Sequence, residues 1–269
     1  MVQKNEALSD LFVAGRPIIG VVHLLPLPGS PRYSGSMAEV TDRARADARA
    51  YLDGGLDGLI LENYGDLPFF PGTVPAETVA AMTAVAGEIA RMTDRPLGIN
   101  VLRNDALSAL GIAAATGAAF LRVNVLMGAS VTDQGLIQGQ AHRLLRRRRE
   151  LGCEVKIFAD VLVKHARPLV RTDIGESTQE MLERGLADVL IVTGTATGRE
   201  PAGEDLARVK EVAGNSPVLA GSGVGPENIS RILKVADGAI VGTSLKTDGQ
   251  TERAVDIERV RALMAGLGR

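Results

Sequence analysis

Short apolar segments rich in β-branched residues recur along the chain, separated by longer segments of helical length. This alternation predicts βα units around a parallel sheet. Several strands are entered through the same transition, a helix followed by glycine or another small residue, which is typical of αβ loops. Eight strands are predicted, near residues 17–24, 55–63, 96–103, 119–125, 154–163, 187–194, 217–223 and 238–245.

Eight such units in 269 residues, with no linker rich in proline, serine or charge, predict a (β/α)8 TIM barrel that occupies residues 1–269 as a single domain. The alternative is an open doubly wound sheet. Its glycine-rich dinucleotide turn is missing, because VVHLLPLPGSPRY follows the first strand. The apolar segment 106–121 is too short and too rich in alanine for a membrane span, so we expect a buried helix that leads into a strand.

Composition limits the classes of partner and compartment. The formal net charge is −2, from 30 basic and 32 acidic residues, so we expect no nucleic-acid partner. The arginines of HRLLRRRRE are interpreted as the solvated face of a helix. The single cysteine, Cys153, excludes a disulfide framework, and the first residues lack the apolar core of a secretory signal. We therefore expect a cytoplasmic protein.

A TIM barrel carries its active site at the carboxyl ends of its strands, and alternate strand residues point to the barrel axis. Polar side chains fall on that axial face late in several strands. Five of them are predicted to be catalytic: Asp160, Glu62, Lys164, His23 and His165. Five more polar residues, four axial and one in the long first loop, are predicted to bind substrate: Asn100, Arg122, Asn124, Thr193 and Arg32.

These residues have a second interpretation. Glu62 and Asp160 can neutralise Arg122 and Lys156 in a buried ion-pair layer, because buried charges must be paired whatever the function. Arg32, likewise, either points at a substrate or belongs to a loop that only plugs the rim. The chain has no metal-motif spacing such as H-E-x-x-H, so neither a metal nor another cofactor is expected.

The last two predicted βα loops both open with small residues, GSGVG and GTSLK. TIM barrels commonly bind phosphate at this position, because glycine allows backbone N–H groups to turn inward. Lys246 can add a charge there. Tight turns without a ligand are the alternative. The residues predicted to bind phosphate are Gly221, Ser222, Gly223, Gly242, Thr243 and Ser244.

The segments IIGVVHLLPLPGSPRY, DGLILENYGDLPF, FADVLVKHA and TGTATG closely resemble the BtpA/SgcQ family of TIM-barrel proteins, over nearly the whole chain. One of the family's names implies photosystem I biogenesis, with peripheral membrane association and an assembly role. The other implies an enzyme of small-molecule metabolism.

The residues themselves favour an enzyme, because carboxylates, lysine and histidine directed into one cavity are costly unless they are used or paired. We expect a homo-oligomer that binds a phosphorylated sugar, nucleotide or related metabolite. Paired carboxylates fit glycosidic cleavage, as in a nucleosidase, with Asp160 and Glu62 as general acid and base. An aldolase or isomerase fits equally well if Lys164 forms a Schiff base or stabilises an enolate, with the histidines as proton shuttles. An assembly factor without catalysis is the rival hypothesis.

Overall fold

The computed structural model describes residues 6–163, 165–170, 172–194 and 200–269. Within these ranges eight parallel strands close into a barrel with helices between them, which confirms the predicted fold class. The strands of the described residues, in chain order, are β1 (Ile18–His23), β2 (Gly58–Glu62), β3 (Leu97–Asn100), β4 (Phe120–Val123), β5 (Ala129–Thr132), β6 (Gly135–Gln138), β7 (Lys156–Val161), β8 (Arg167–Pro168), β9 (Val189–Val192), β10 (Val218–Ala220) and β11 (Gly238–Val241).

Around the barrel the strand order is β1, β2, β3, β4, β7, β9, β10 and β11, and β11 pairs with β1. Every one of the eight predicted segments contains one of these strands. The helices are α1 (Met37–Asp53), α2 (Ala76–Ala90), α3 (Ala106–Thr116), α4 (Ala141–Glu150), α5 (Ile174–Glu183), α6 (Gly203–Ala213), α7 (Ile229–Ile232) and α8 (Ile257–Ala265). Segment 106–121 is indeed a helix that leads into a strand, and the arginine-rich segment forms α4.

Strands β5, β6 and β8 form a separate antiparallel sheet that was not predicted. It is built from the loops that follow β4 and β7, and it stands beside the mouth of the barrel. Gly135, with a φ of 97°, closes the two-residue turn between β5 and β6. Apolar and polar residues alternate only weakly in these segments, and the strands have four residues or fewer. Their sequence pattern is therefore hard to distinguish from that of a loop.

The barrel axis has two layers of different polarity. At the amino-terminal end it is apolar: Phe120 stacks on Phe158 with 4.3 Å between ring centroids, and Phe12 meets Phe120 edge-on at 6.1 Å. A Cβ at Gly98 would lie 2.3 Å from the Phe120 ring, so glycine is required there. The polar residues predicted on the axis lie in the upper layer, but Lys156, which was predicted as part of a buried ion-pair layer, does not.

The contacts of Lys156 correct this prediction. Its Nζ lies 2.9 Å from Oδ2 of Asp10, a partly exposed carboxylate that precedes the first strand. Lys156 therefore belongs to the amino-terminal rim and takes no part in a central ion-pair layer.

One aspartate arrangement recurs at the amino-terminal end. Asp57, Asp188 and Asp237 each precede a strand, and each accepts a 2.8 Å hydrogen bond from the N–H of the first or second residue of the neighbouring strand. Each carboxylate also binds a cation: Arg269 and Arg148 at 3.0 Å, and Lys210 at 2.6 Å. These aspartates satisfy strand-end N–H groups that have no partner in the sheet, and so they help to set the register of the barrel.

Candidate active site

A cavity of about 1090 Å³ opens at the carboxyl ends of the barrel strands. It brings together most of the residues predicted to form a site. Those that line it are His23, Glu62, Arg122, Asn124, His165, Thr193, Gly221, Ser222, Gly223, Gly242, Thr243 and Ser244. Asn100 and Asp160 are buried and contact lining residues from below. Arg32 is exposed and does not line the cavity. Lys164 lies outside the described residues.

Asp160 anchors one half of the cavity floor. Its carboxylate accepts two hydrogen bonds from Arg122, Nε to Oδ2 at 3.1 Å and Nη2 to Oδ1 at 3.0 Å, and a third from Asn124 Nδ2 at 2.8 Å. Burial alone would lower the pKa of Arg122, but the charge and hydrogen bonds of Asp160 outweigh it and raise that pKa. The geometry makes Asp160 a carboxylate that holds two cavity-lining side chains in place.

Glu62 anchors the other half. It ends β2, and its Oε2 accepts a 2.7 Å hydrogen bond from Asn100 Nδ2 at the end of β3. Its Oε1 lies 3.7 Å from Nε2 of His23, and the His23 ring meets Tyr64 edge-on at 4.9 Å. Burial, followed by the charge of Glu62, raises the pKa of Tyr64. Glu62 and His23 thus form a carboxylate–imidazole pair directly on the cavity.

The two glycine-containing loops face the same cavity. β10 ends at Ala220 and β11 at Val241, so both loops begin immediately after their strands. A Cβ at Gly242 would lie 2.9 Å from the His23 ring, which explains glycine at this position.

The hydroxyl groups of these loops already have partners. Ser222 Oγ accepts from the N–H of Gly194 at 2.7 Å, and Ser244 Oγ donates to the carbonyl of Val224 at 2.5 Å. Thr243 Oγ1 lies 2.8 Å from Oγ1 of Thr251. The side chains therefore hold the loops together. The N–H of Gly221 is also taken, by the carbonyl of Val192 at 2.8 Å, so the donors that a phosphate would use are the backbone N–H groups of Gly223 and Gly242–Ser244.

Lys246 does not add a charge to this cavity, which corrects the prediction. It is fully buried, and its Nζ lies 2.7 Å from Oδ2 of Asp47 on α1. Asp47 also accepts from the N–H of Val255 at 2.8 Å. Burial lowers the pKa of Lys246 against the opposing effect of Asp47. This pair ties α1 to the chain that follows β11.

Sequence reasoning missed Arg103, which is buried and lines the cavity beside Arg122. Burial lowers its pKa, and the charges of Asp160 and Glu62 oppose this. The predicted third strand ran to residue 103, whereas β3 ends at Asn100. An arginine just beyond a strand end was the available signal, because that is where TIM-barrel sites lie.

Two buried asparagines position the loops around Arg103. Asn63 accepts from the N–H of Leu102 at 2.7 Å and donates to its carbonyl at 3.5 Å. Asn104 accepts from the N–H of Val125 at 2.8 Å and donates to its carbonyl at 2.9 Å. Each asparagine therefore hydrogen-bonds both the backbone N–H and the carbonyl of a single residue that follows the next barrel strand. These paired bonds fix the backbone on either side of the cavity floor.

The first loop is tied to the second through Asp66, whose Oδ1 accepts from the N–H of Leu27 at 2.8 Å and whose Oδ2 accepts from Asn63 at 3.0 Å. Burial raises the pKa of Asp66 against these two hydrogen bonds. The unpredicted β5–β6 turn lines the opposite wall with Asp133 and Gln134.

Among the described residues, no group of three or more His, Cys, Asp or Glu side chains is placed to hold a metal ion. None of the helices in the described ranges has both the length and the apolar character that a membrane crossing requires.

The barrel with a polar cavity at its carboxyl end defines a protein of the TIM-barrel class, and solved structures agree on the fold. Phosphoribosyl anthranilate isomerase from Thermus thermophilus superimposes with a TM-score of 0.56 at 11% identity, covering 94% of this chain and 98% of that one. An archaeal fructose 1,6-bisphosphate aldolase gives a TM-score of 0.57 at 14% identity, covering 98% of both chains.

The chain belongs to the BtpA family, whose profile matches residues 14–268. It is 48% identical to the photosystem I biogenesis protein BtpA of Synechocystis sp. (strain ATCC 27184 / PCC 6803 / Kazusa), over 97% of this chain and 91% of that protein. It is 47% identical to the uncharacterized protein PF0860 of Pyrococcus furiosus, over 96% and 97% of the two chains. The resemblance seen in the sequence motifs is thereby confirmed.

Proposed function

We propose that this protein is an enzyme that performs general acid–base chemistry on a small phosphorylated metabolite of the sugar-phosphate type. The observation that carries the proposal is the shared cavity: the Glu62–His23 pair and the two glycine-containing loops line it together. The backbone N–H groups of Gly223 and Gly242–Ser244 would hold the phosphate, as in many TIM barrels. A phosphoribosyl anthranilate isomerase and a fructose 1,6-bisphosphate aldolase share the fold, and both activities are consistent with such a ligand.

Glu62 is the proposed general base and His23 the group that shares its proton. Asp160 is a weaker candidate, because three hydrogen bonds from Arg122 and Asn124 already occupy its carboxylate. A glycosidase of the two-carboxylate type needs both an acid and a second free carboxylate. Asp160 does not meet that description, so the predicted Glu62–Asp160 pair favours proton transfer of the isomerase or lyase type over glycosidic cleavage.

The steps proposed for an isomerase account for every proton and electron pair without a cofactor. Glu62 removes a proton from the carbon next to a carbonyl, and the electron pair moves to the carbonyl oxygen to form an enediol or enediolate. Arg122 and Arg103 lie close enough to the floor to stabilise that negative charge. A proton then passes from the hydroxyl on the deprotonated carbon to the former carbonyl oxygen, with His23 as the proposed carrier. Return of the first proton to the former carbonyl carbon leaves a carbonyl at the deprotonated carbon and completes the isomerisation. Whether Lys164 takes part, as a Schiff-base lysine or otherwise, stays a prediction.

A matched pair of variants tests the phosphate site. Thr243→Asp places a negative charge among the proposed phosphate donors, whereas Thr243→Asn has almost the same shape and no charge. Isothermal titration with ribose 5-phosphate, against ribose as control, is expected to show at least a tenfold loss of affinity for Thr243→Asp and little change for Thr243→Asn, because like charges in contact are strongly repulsive. Equal affinities for the two variants, or no binding by the wild type, would reject the site.

The rival function is that of an assembly factor, which the name of the Synechocystis relative favours. Its contact surface would be at the antiparallel sheet of β5, β6 and β8 and the residues after β8, where Leu136, Leu169 and Val170 are between 48% and 71% exposed. Substituting these three residues with serine would impair such a factor and leave ligand binding intact, because none of them lines the cavity. Loss of function in cells from Glu62→Gln alone would instead favour the enzyme.

A further inference from the structure

Asn124 lies directly after β4, on the cavity floor, and is only 4% exposed. Its amide can face only one way. Both oxygens of Asp160 accept hydrogen bonds from Arg122, so its carboxylate acts as an acceptor on this side. The amide NH2 of Asn124 must therefore point to Asp160, as the 2.8 Å contact from Nδ2 to Oδ2 shows. The amide oxygen is left on the other side.

That oxygen, Oδ1, is buried and accepts no hydrogen bond from the part of the chain that the structure describes. A buried acceptor without a donor costs about 1–3 kcal/mol. Since Asn124 is a lining residue of the cavity, a molecule bound on the floor is placed to supply the donor.

The charges around Asn124 limit what that donor can be. Arg122 is bound to the same carboxylate, and Arg103 also lines the cavity. The single charge of Asp160 is already balanced by Arg122. An ammonium group at Asn124 would thus be close to the guanidinium group of Arg122, which is bound to the same carboxylate oxygen. A hydroxyl carries no charge and can also accept a hydrogen bond from Arg122.

We propose that Asn124 Oδ1 accepts a hydrogen bond from a hydroxyl group of the ligand, so that the substrate is a phosphorylated sugar or polyol and not a phosphorylated amine. This inference rests on the proposed function, because it takes the phosphate end to be held by the loops after β10 and β11. Asn124 then distinguishes substrates by their hydroxyl groups, and Asp160 is the residue that positions it.

The test uses ribose 5-phosphate, its three analogues in which one hydroxyl at C1, C2 or C3 is replaced by hydrogen, and the matching amino-for-hydroxyl analogues. Calorimetric dissociation constants are measured for the wild type and for Asn124→Leu. We expect one deoxy analogue to bind the wild type at least tenfold more weakly than ribose 5-phosphate, and its amino analogue to bind no better. On Asn124→Leu the same deoxy analogue and its parent are expected to bind within about twofold of each other.

Inorganic phosphate serves as the control that separates this inference from the proposed function. If neither phosphate nor any sugar phosphate binds the wild type, the proposed function fails. If phosphate binds but ribose 5-phosphate and all its analogues bind no tighter, or if the amino analogue binds as well as the parent, only the role of Asn124 is overturned. The wild-type series decides the matter even if Asn124→Leu folds poorly.

Discussion

Asp188 and Asp160 belong to opposite ends of the same barrel and bind similar partners. Asp188, at the amino-terminal end, accepts hydrogen bonds from Arg148 and from the N–H of Ile157. Asp160, at the carboxyl end, accepts hydrogen bonds from Arg122 and Asn124. The difference lies in where these partners are: Ile157 is part of a packed strand, whereas Arg122 and Asn124 border a cavity. An ion pair indicates function when its partners border space that a ligand can fill.

The largest change is expected from Asp160→Ala. It leaves the guanidinium of Arg122 buried without its counter-charge, which typically costs about 3 kcal/mol or more of unfolding free energy. The same change frees Asn124, so that binding of ribose 5-phosphate should be lost as well. Urea unfolding and calorimetry measure the two effects. A variant that keeps full affinity would show that the floor does not depend on Asp160.

Glu62→Gln is expected to separate chemistry from stability. The amide can still pair with Asn100, so the midpoint of unfolding should change little, but a glutamine cannot take a proton. NMR in heavy water measures how fast deuterium replaces a carbon-bound hydrogen of ribose 5-phosphate. We expect this exchange to slow by about 100-fold or more. Unchanged exchange would remove Glu62 from the role of base.

Asp188→Ala should affect stability alone. It removes the hydrogen bond from the N–H of Ile157 in β7 and the partner of Arg148, which is expected to lower the unfolding free energy by about 1–2 kcal/mol. Dissociation constants for sugar phosphates should match those of the wild type. If sugar phosphates bind more weakly to this variant as well, the two ends of the barrel are not independent.

The smallest effect concerns pH. Burial raises the pKa of Asp66 above its unfolded value, so the folded state binds the proton more tightly. The resulting stabilisation is fully present below the unfolded pKa of 3.8 and is lost as the pH rises through the folded pKa. The wild type should therefore be more stable than Asp66→Ala by a margin that shrinks as the pH rises from about 4 towards 7. A margin that grows over this range in urea unfolding would contradict the assignment.

The barrel could be predicted from the sequence because each strand is a short apolar segment preceded by a turn of glycine or other small residues. The alternation of side chains along the strands also correctly placed Arg122 and Glu62 on the axial side. Long-range pairing could not be predicted in the same way. Lys246 follows the eighth strand like a phosphate ligand, yet its charge is taken by Asp47, 199 residues away in sequence. Arg103 and the turn at Asp133 lie in loops whose path depends on contacts with other loops.

A crystal structure of the protein with bound ribose 5-phosphate tests the central claim most directly. We predict that the phosphate lies against the backbone N–H groups of Gly223 and Gly242–Ser244, with the sugar hydroxyls directed to Asn124 and the reacting carbon next to Glu62. A phosphate bound elsewhere on the protein, or a cavity that stays free of ligand at saturating concentration, would contradict the assignment of this cavity as a sugar-phosphate site.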